Sequence, residues 1–216
     1  MPDAPAPIPY RGELWRKALH ILTAMACPFL LGLLGLNVML WLTGTLAALA
    51  VAADVARTYS PGFQAFIDGT FGFMMRSEES EGRGPVFNGA TWVLIAITLL
   101  LLVFPANLAL PIFIMFMLAD AAAALIGRRY GRHVWAGGQR TLEGSAAFFI
   151  VAVVVLSGLT ALPWWLIVGA SLAAALFEAV DVQLNDNLIV PFLTTLLVSL
   201  VLQFGMGQAV NWLPIF

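Results

Sequence analysis

Charge is what this chain has least of. Among 216 residues, 10 are Lys or Arg and 12 are Asp or Glu, a formal net charge of −2. A soluble domain carries about a quarter charged residues. At 10% charged and 61% hydrophobic, this chain cannot cover a water-facing surface of its own. With no basic excess, nucleic acid is not an expected partner. The single cysteine, Cys27, excludes an internal disulfide and a thiolate metal site, and inside its apolar run it reads as a small buried hydrophobe. No GxxxxGK[ST] string occurs, so a Walker phosphate loop is excluded. No basic segment precedes a cleavable apolar core, so no signal peptide is expected. The opening MPDAPAPIPY is Pro-rich and expected to be unstructured.

What is present is apolar sequence in long runs, with a mean hydropathy of +0.94. A membrane span needs roughly 20 apolar residues. Seven stretches qualify or nearly so, at about 18–36, 38–56, 89–104, 107–127, 144–161, 164–180 and 188–206. The expected fold is an all-α polytopic membrane protein of about seven transmembrane helices, with residues 1–216 as one domain. A longer polar segment, 57–88, separates the second and third stretches. Its first part mixes Phe63, Phe66, Phe71 and Phe73 with Gln64 and Asp68, the pattern of a helix lying on a membrane surface.

All ten basic residues fall in three regions: Arg11, Arg16 and Lys17; Arg57, Arg76 and Arg83; Arg128, Arg129, Arg132 and Arg140. With seven spans, those regions share one side. The joints near Asn37, Asn107 and Pro163 carry no charge. The positive-inside rule then puts the N-terminus and the charged loops in the cytoplasm and the C-terminus outside. The expected setting is an inner (plasma) membrane of prokaryotic type.

Charges, glycines and small hydroxyls concentrate in residues 119–145, ADAAAALIGRRYGRHVWAGGQRTLEGS. Asp120 lies eight residues before Arg128, about 12 Å deep at 1.5 Å per residue. An acid at that depth is a functional candidate by default, the alternative being a structural partner for an arginine. Around it, Ala121, Ala123, Ala124 and Gly127 leave a thinly covered helix surface, suited to close helix packing or to a ligand. Thr141 is a plausible N-cap, and the free amides of that first turn favour an anion. Glu143 suits the helix dipole; beside a phosphate it would need a divalent cation between them. Near the N-terminus, Glu13, Arg16 and His20 share one helical face, with Lys17 adjacent; Arg16 and Lys17 also read as interface anchors. Glu178 is a second acid within an apolar run. Asp186 and Asn187, with Asn185, precede the last stretch and serve as a cap in the simpler reading.

Five strings in this order resemble the family of polyprenol (dolichol) kinases, phytol kinases and CTP-dependent diacylglycerol kinases. They are ELWRKALHI (13–21), RSEESEGRGPVFNG (76–89), ADAAAALIGRRYG (119–131), RTLEGSAAFF (140–149) and FEAVDVQLNDNLIVP (177–191). The resemblance implies phosphoryl transfer from CTP to the hydroxyl of a membrane-embedded alcohol, with Mg²⁺ or Mn²⁺. It implies that Asp120 and the stretch Arg140, Thr141, Glu143, Gly144 and Ser145 belong to a nucleotide site in the loop 128–143 and the helix it opens. It further implies that Glu178, Asp186 and Asn187 form a later acidic motif, and Arg16, Lys17 and His20 an N-terminal one. On that basis Asp120, Glu178, His20 and Lys17 are the catalytic candidates. Arg128, Arg132 and Arg140 would hold phosphates, with Arg16, Arg76 and Asn187 as further contacts. Asp120 and Glu143, with Asp186, would hold the metal. Two positions depart from the family pattern: Ala119 stands where Gly is usual, and Arg140 where Lys is frequent, a bidentate fork in place of a point charge. The central string is also similar to CTP:phosphatidate cytidylyltransferases, which make the alternative activity. A membrane transporter is a third reading, disfavoured because the outer halves of the helices carry almost no polar residue. The expected partners are CTP, a lipid alcohol and the surrounding membrane lipids, and an oligomer remains open.

Overall fold

The computed structural model of the chain describes residues 10–75, 87–135, 140–180 and 184–213. In chain order, the helices are α1 (Tyr10–Leu34), α2 (Leu36–Tyr59), α3 (Pro61–Phe71), α4 (Gly89–Val103), α5 (Ala106–Tyr130), α6 (Leu142–Leu159), α7 (Trp164–Ala179) and α8 (Asp186–Leu200). α8 runs on into a π-helical turn, Val201–Gly205. Each of the seven apolar stretches is therefore a helix, and α3 is the additional helix in the polar segment. α1, α2, α5, α6 and α8 with its π turn are long and apolar enough to cross a membrane. α4 and α7 are shorter, at 15 and 16 residues. The helices meeting the length requirement thus number five rather than seven. The Pro-rich start of the chain and Arg76 lie outside the described residues.

Local chemistry explains the boundaries. Gly35, at φ +77 and ψ 166, a conformation essentially only glycine adopts, separates α1 from α2 and lets α2 fold back. The Asn88 side chain caps α4 by accepting from the amides of Ala90 and Thr91. Thr141 caps α6, its hydroxyl accepting from the Gly144 amide at 3.2 Å, as its sequence position predicts. Asn185 caps α8 by accepting from the Asn187 amide. Between α5 and α6 the expected loop contains a short antiparallel ladder, β1 (Val134–Trp135) against β2 (Arg140–Thr141).

α5 is the central helix, packed by α1, α4, α6 and α8. Phe113, Met115, Phe116 and Met117 on it are fully buried, and the Phe116 ring meets Phe148 of α6 at 6.4 Å. Near the polar end α5 and α6 come closest. A Cβ on Gly144 would stand 3.1 Å from the Ala123 carbonyl oxygen and 3.4 Å from Gly127 Cα. Small residues there allow the two backbones to approach.

The outward surface is apolar over the middle of the bundle, with Leu22, Met25 and Leu49 exposed. Aromatic side chains stand exposed toward its two ends: Trp15, Tyr59 and Tyr130 at one, Trp41, Trp164 and Trp165 at the other. From Trp41 to Tyr59 along α2 is about 27 Å at 1.5 Å per residue, close to the thickness of a hydrocarbon core. A bilayer is the solvent this surface fits.

A buried polar staple joins α2 to α4. The Asp54 carboxylate accepts from the Asn88 amide (2.9 Å), the Asn88 side-chain nitrogen (2.8 Å) and the Thr91 hydroxyl (2.7 Å), with Arg57 at 3.6 Å. Asp54 is 3% exposed, so its removal strands these donors away from water. Asp54→Ala is expected to cost roughly 3 kcal/mol. Asp54→Asn, which retains an acceptor oxygen, is expected to cost less. Thermal unfolding of the purified variants in detergent measures both.

Candidate active site

The helix directions alternate so that seven polar termini meet at one end of the bundle. There, α1 and α5 are joined by an ion pair between Lys17 and Asp120. Both are forced together by the same constraint: each charge sits among apolar helices and requires a partner. Lys17 Nζ also stands 3.9 Å from Glu13, which pairs with Arg16 at 2.6 Å and Arg128 at 3.4 Å. On the far wall, Arg140 Nε donates to the Glu178 backbone carbonyl at 3.3 Å and pairs with the Glu178 carboxylate at 3.1 Å, and its terminal nitrogen donates to Asp186 at 2.6 Å. Arg140 thereby ties the start of α6 to the ends of α7 and α8.

These pairs surround a cavity of about 310 Å³. The α5 residues lining it are Asp120, Ala123, Ala124, Gly127 and Arg128. That spacing, i, i+3, i+4, i+7 and i+8, is one stripe of a helix. α1 contributes Glu13, Arg16 and Lys17, the same spacing on a facing helix. Thr141, Gly144 and Ser145 close the third side, with Arg140 and Glu178. The small residues around Asp120 therefore serve both roles that their size allows: Gly127 packs against α6, and Ala123 and Ala124 open space. Four cations and three carboxylates line the cavity, a formal charge of +1, beside the N-terminal turn of α6. That combination favours an anion.

Several expected site residues lie elsewhere. His20 stands behind Asp120, its Nδ1 3.8 Å from the carboxylate, and lines a second cavity. Glu143 does not reach Asp120. Its carboxylate is held by the His133 ring at 2.7 Å and the amides of Arg132 (3.1 Å) and His133 (3.3 Å). The cause is helical phase: Thr141, Gly144 and Ser145 share a face that Glu143 does not. The exposed Arg132 side chain lines neither cavity. Asp186 is engaged by Arg140, and the Asn187 side chain donates to the Gly89 carbonyl at 3.3 Å as a packing contact. Asp120, Glu143 and Asp186 are therefore not brought together. Among the described residues, no three His, Cys, Asp or Glu side chains form a metal-holding group. Three carboxylates, Glu13, Asp120 and Glu178, do face the cavity, each paired with a cation. A single carboxylate such as Glu178, beside cations able to bind phosphate, fits a divalent ion that takes its other ligands from substrate. Asp54 is the buried acid that motif reading passed over; its signal was a carboxylate within helical reach of Arg57.

Comparison with known proteins bears on this cavity. The chain is 26% identical to "CTP-dependent diacylglycerol kinase 1" of Schizosaccharomyces pombe over 71% of its own length and 76% of that protein's. It is 33% identical to "Dolichol kinase" of Saccharomyces cerevisiae over 37% of its length, a match taking in 15% of that longer protein. The resemblance to this kinase family is borne out. No family model and no solved structure matches the chain.

Arg140 offers a stability test independent of catalysis. Arg140→Gln leaves the buried Glu178 carboxylate, 4% exposed at its side chain, without its cation. Breaking such a pair costs about 3 kcal/mol, at the low end of the range because Arg140 itself is partly exposed. The expected outcome is a lower unfolding midpoint, partly restored by adding Glu178→Gln in the same chain.

Proposed function

We propose that the chain is a CTP-dependent kinase that phosphorylates the hydroxyl of a membrane lipid alcohol at the cytoplasmic face. The observation that carries this reading is the net-positive cavity at the polar end of an apolar bundle, with Asp120 at its base. The names of the two relatives support CTP as donor and a lipid alcohol as acceptor. All seven apolar helices cross the membrane in this reading, α4 and α7 as short spans, with the N-terminus inside and the C-terminus outside. The cation-rich end of the bundle and the charge-free opposite joints support that orientation. α3 lies along the interface, which its lack of any buried residue supports.

Arg16, Arg128 and Arg140 hold the triphosphate, its γ-phosphate toward the first turn of α6. A divalent cation would be held by Glu178 together with phosphate oxygens, and would supply neutralisation of phosphate charge. The alcohol oxygen bonds to the γ-phosphorus as the bond to the β–γ bridging oxygen breaks, releasing CDP. The hydroxyl proton passes to the Asp120 carboxylate, which Lys17 keeps oriented toward the cavity. Phosphoryl transfer needs little beyond this positioning and charge neutralisation.

Two experiments test the reading. CTP labelled at the γ-phosphate is expected to label lipid, and CTP labelled at the α-phosphate is expected not to; the reverse pattern means nucleotidyl transfer. Asp120→Asn is expected to lower turnover at least about a hundredfold, the scale of a lost general base. Near-normal turnover by that variant removes Asp120 from the role.

A further inference from the structure

A second cavity of about 350 Å³ lies between α1, α2, α3 and the start of α4. Leu19, Ala50, Ala53, Ile67 and Phe71 make its walls mostly apolar. Asp54 and Arg57 at its rim are engaged with each other, and Asp54 is saturated by the α4 cap. Arg16 and His20 are different. Arg16 Nε and His20 Nδ1 are buried and make no hydrogen bond, and His20 is only 6% exposed. Buried polar atoms in native structures are nearly always hydrogen-bonded, so two orphans at one place mark where a ligand atom completes the shell.

Both orphans stand at the boundary of the two cavities. Arg16 lines each of them. His20 lines the apolar one, while its Nδ1 stands 3.8 Å from the Asp120 carboxylate at the base of the polar one. The His20 and Arg16 side chains thus lie between a mostly apolar chamber and the polar cavity that Asp120 lines.

The geometry points to this second cavity as the seat of the lipid alcohol, its hydroxyl at His20 and Arg16 and its first carbons against Ala50, Ala53, Ile67 and Phe71. This assignment rests on the reading of the polar cavity as the phosphoryl-donor site. The occupant is an amphiphile because the chamber is one. Along α2 its polar end is Arg57 and its apolar end is Ala50, about 10 Å away at 1.5 Å per residue. A small water-soluble alcohol has no use for that apolar length. Ala50 and Ala53 are the small residues that leave room for it. α3 closes another side while exposing Phe66 outward, so the chamber is walled by a helix whose outer face suits the headgroup layer. His20 is then a positioning residue, presenting the hydroxyl toward Asp120.

Photolabelling tests the site without relying on turnover. Geranylgeraniol carrying a diazirine near its hydroxyl is illuminated with the full chain in nanodiscs, and labelled peptides are mapped by mass spectrometry. Label on the α2 segment around Ala50–Ala53 and on α3 around Ile67–Phe71, competed by unlabelled geranylgeraniol or dioleoylglycerol, is the expected result. Label spread over the lipid-facing surface without competition, or concentrated on other helices, overturns the assignment. Filling the chamber by Ala53→Phe is expected to raise KM for geranylgeraniol at least tenfold while CTP affinity stays within twofold. An unchanged KM in a variant that still binds CTP also overturns it. Where Ala53→Phe fails to fold, the labelling pattern of the native chain decides. Competed label on α2 and α3 without any transfer from CTP would sink the kinase reading and leave the lipid site standing.

Discussion

One ion pair fixes the arrangement from which the rest follows. Lys17 and Asp120 lie 103 residues apart, each on a helix whose other side chains are chiefly apolar. Lys17 is 3% exposed, so neither partner can turn to water without carrying its helix along. A buried pair adds little net stability compared with an apolar pair of the same volume, but leaving either charge alone is costly. The pair therefore selects which helix faces which, and at what depth. Once α1 and α5 are registered by it, Glu13 lies about one turn nearer the polar end on α1 and Arg128 about two turns nearer it on α5, where the two pair.

The same logic extends around the bundle. Arg140 joins α6 to α7 and α8 through Glu178 and Asp186, and Asp54 joins α2 to the capped start of α4. Each link is a polar group that could not be buried alone. Together they leave a cavity whose walls are charges rather than methyl groups, beside a second chamber lined mainly by methyl and aromatic groups. Phosphoryl transfer between a nucleotide and a lipid needs that juxtaposition, because one reactant is a polyanion and the other is oil-soluble except for one hydroxyl.

The seven apolar runs announced the helices, since a chain with so few charges has no other way to satisfy its backbone in lipid. Helical spacing also made two stripes readable. Glu13, Arg16, Lys17 and His20 on α1, and Asp120 with its following alanines and Gly127 on α5, are faces at i, i+3, i+4 and i+7. Thr141 was legible as a cap because capping is local chemistry. Partner choice was not legible. That Lys17 meets Asp120, or that Arg140 reaches two acids on other helices, depends on how helices far apart in sequence are stacked. Glu143 misled for a related reason. Its place in a conspicuous string suggested the site, yet two residues along from Thr141 a helix has turned about 200°, and its carboxylate faces His133 instead. Asp54 gave a weak signal, because an acid three residues before an arginine on a helix is common on solvated faces.

A receptor for a polyphosphate built from these buried charges must bind one directly. Purified chain in nanodiscs is titrated with CTP and Mg²⁺ while its unfolding midpoint is followed. The account predicts a midpoint that rises with CTP concentration, as mass action requires for a ligand of the folded state. It also predicts that Arg128→Gln weakens the response and that added salt shifts it to higher CTP. A midpoint that stays flat in the wild-type chain at millimolar CTP would contradict it.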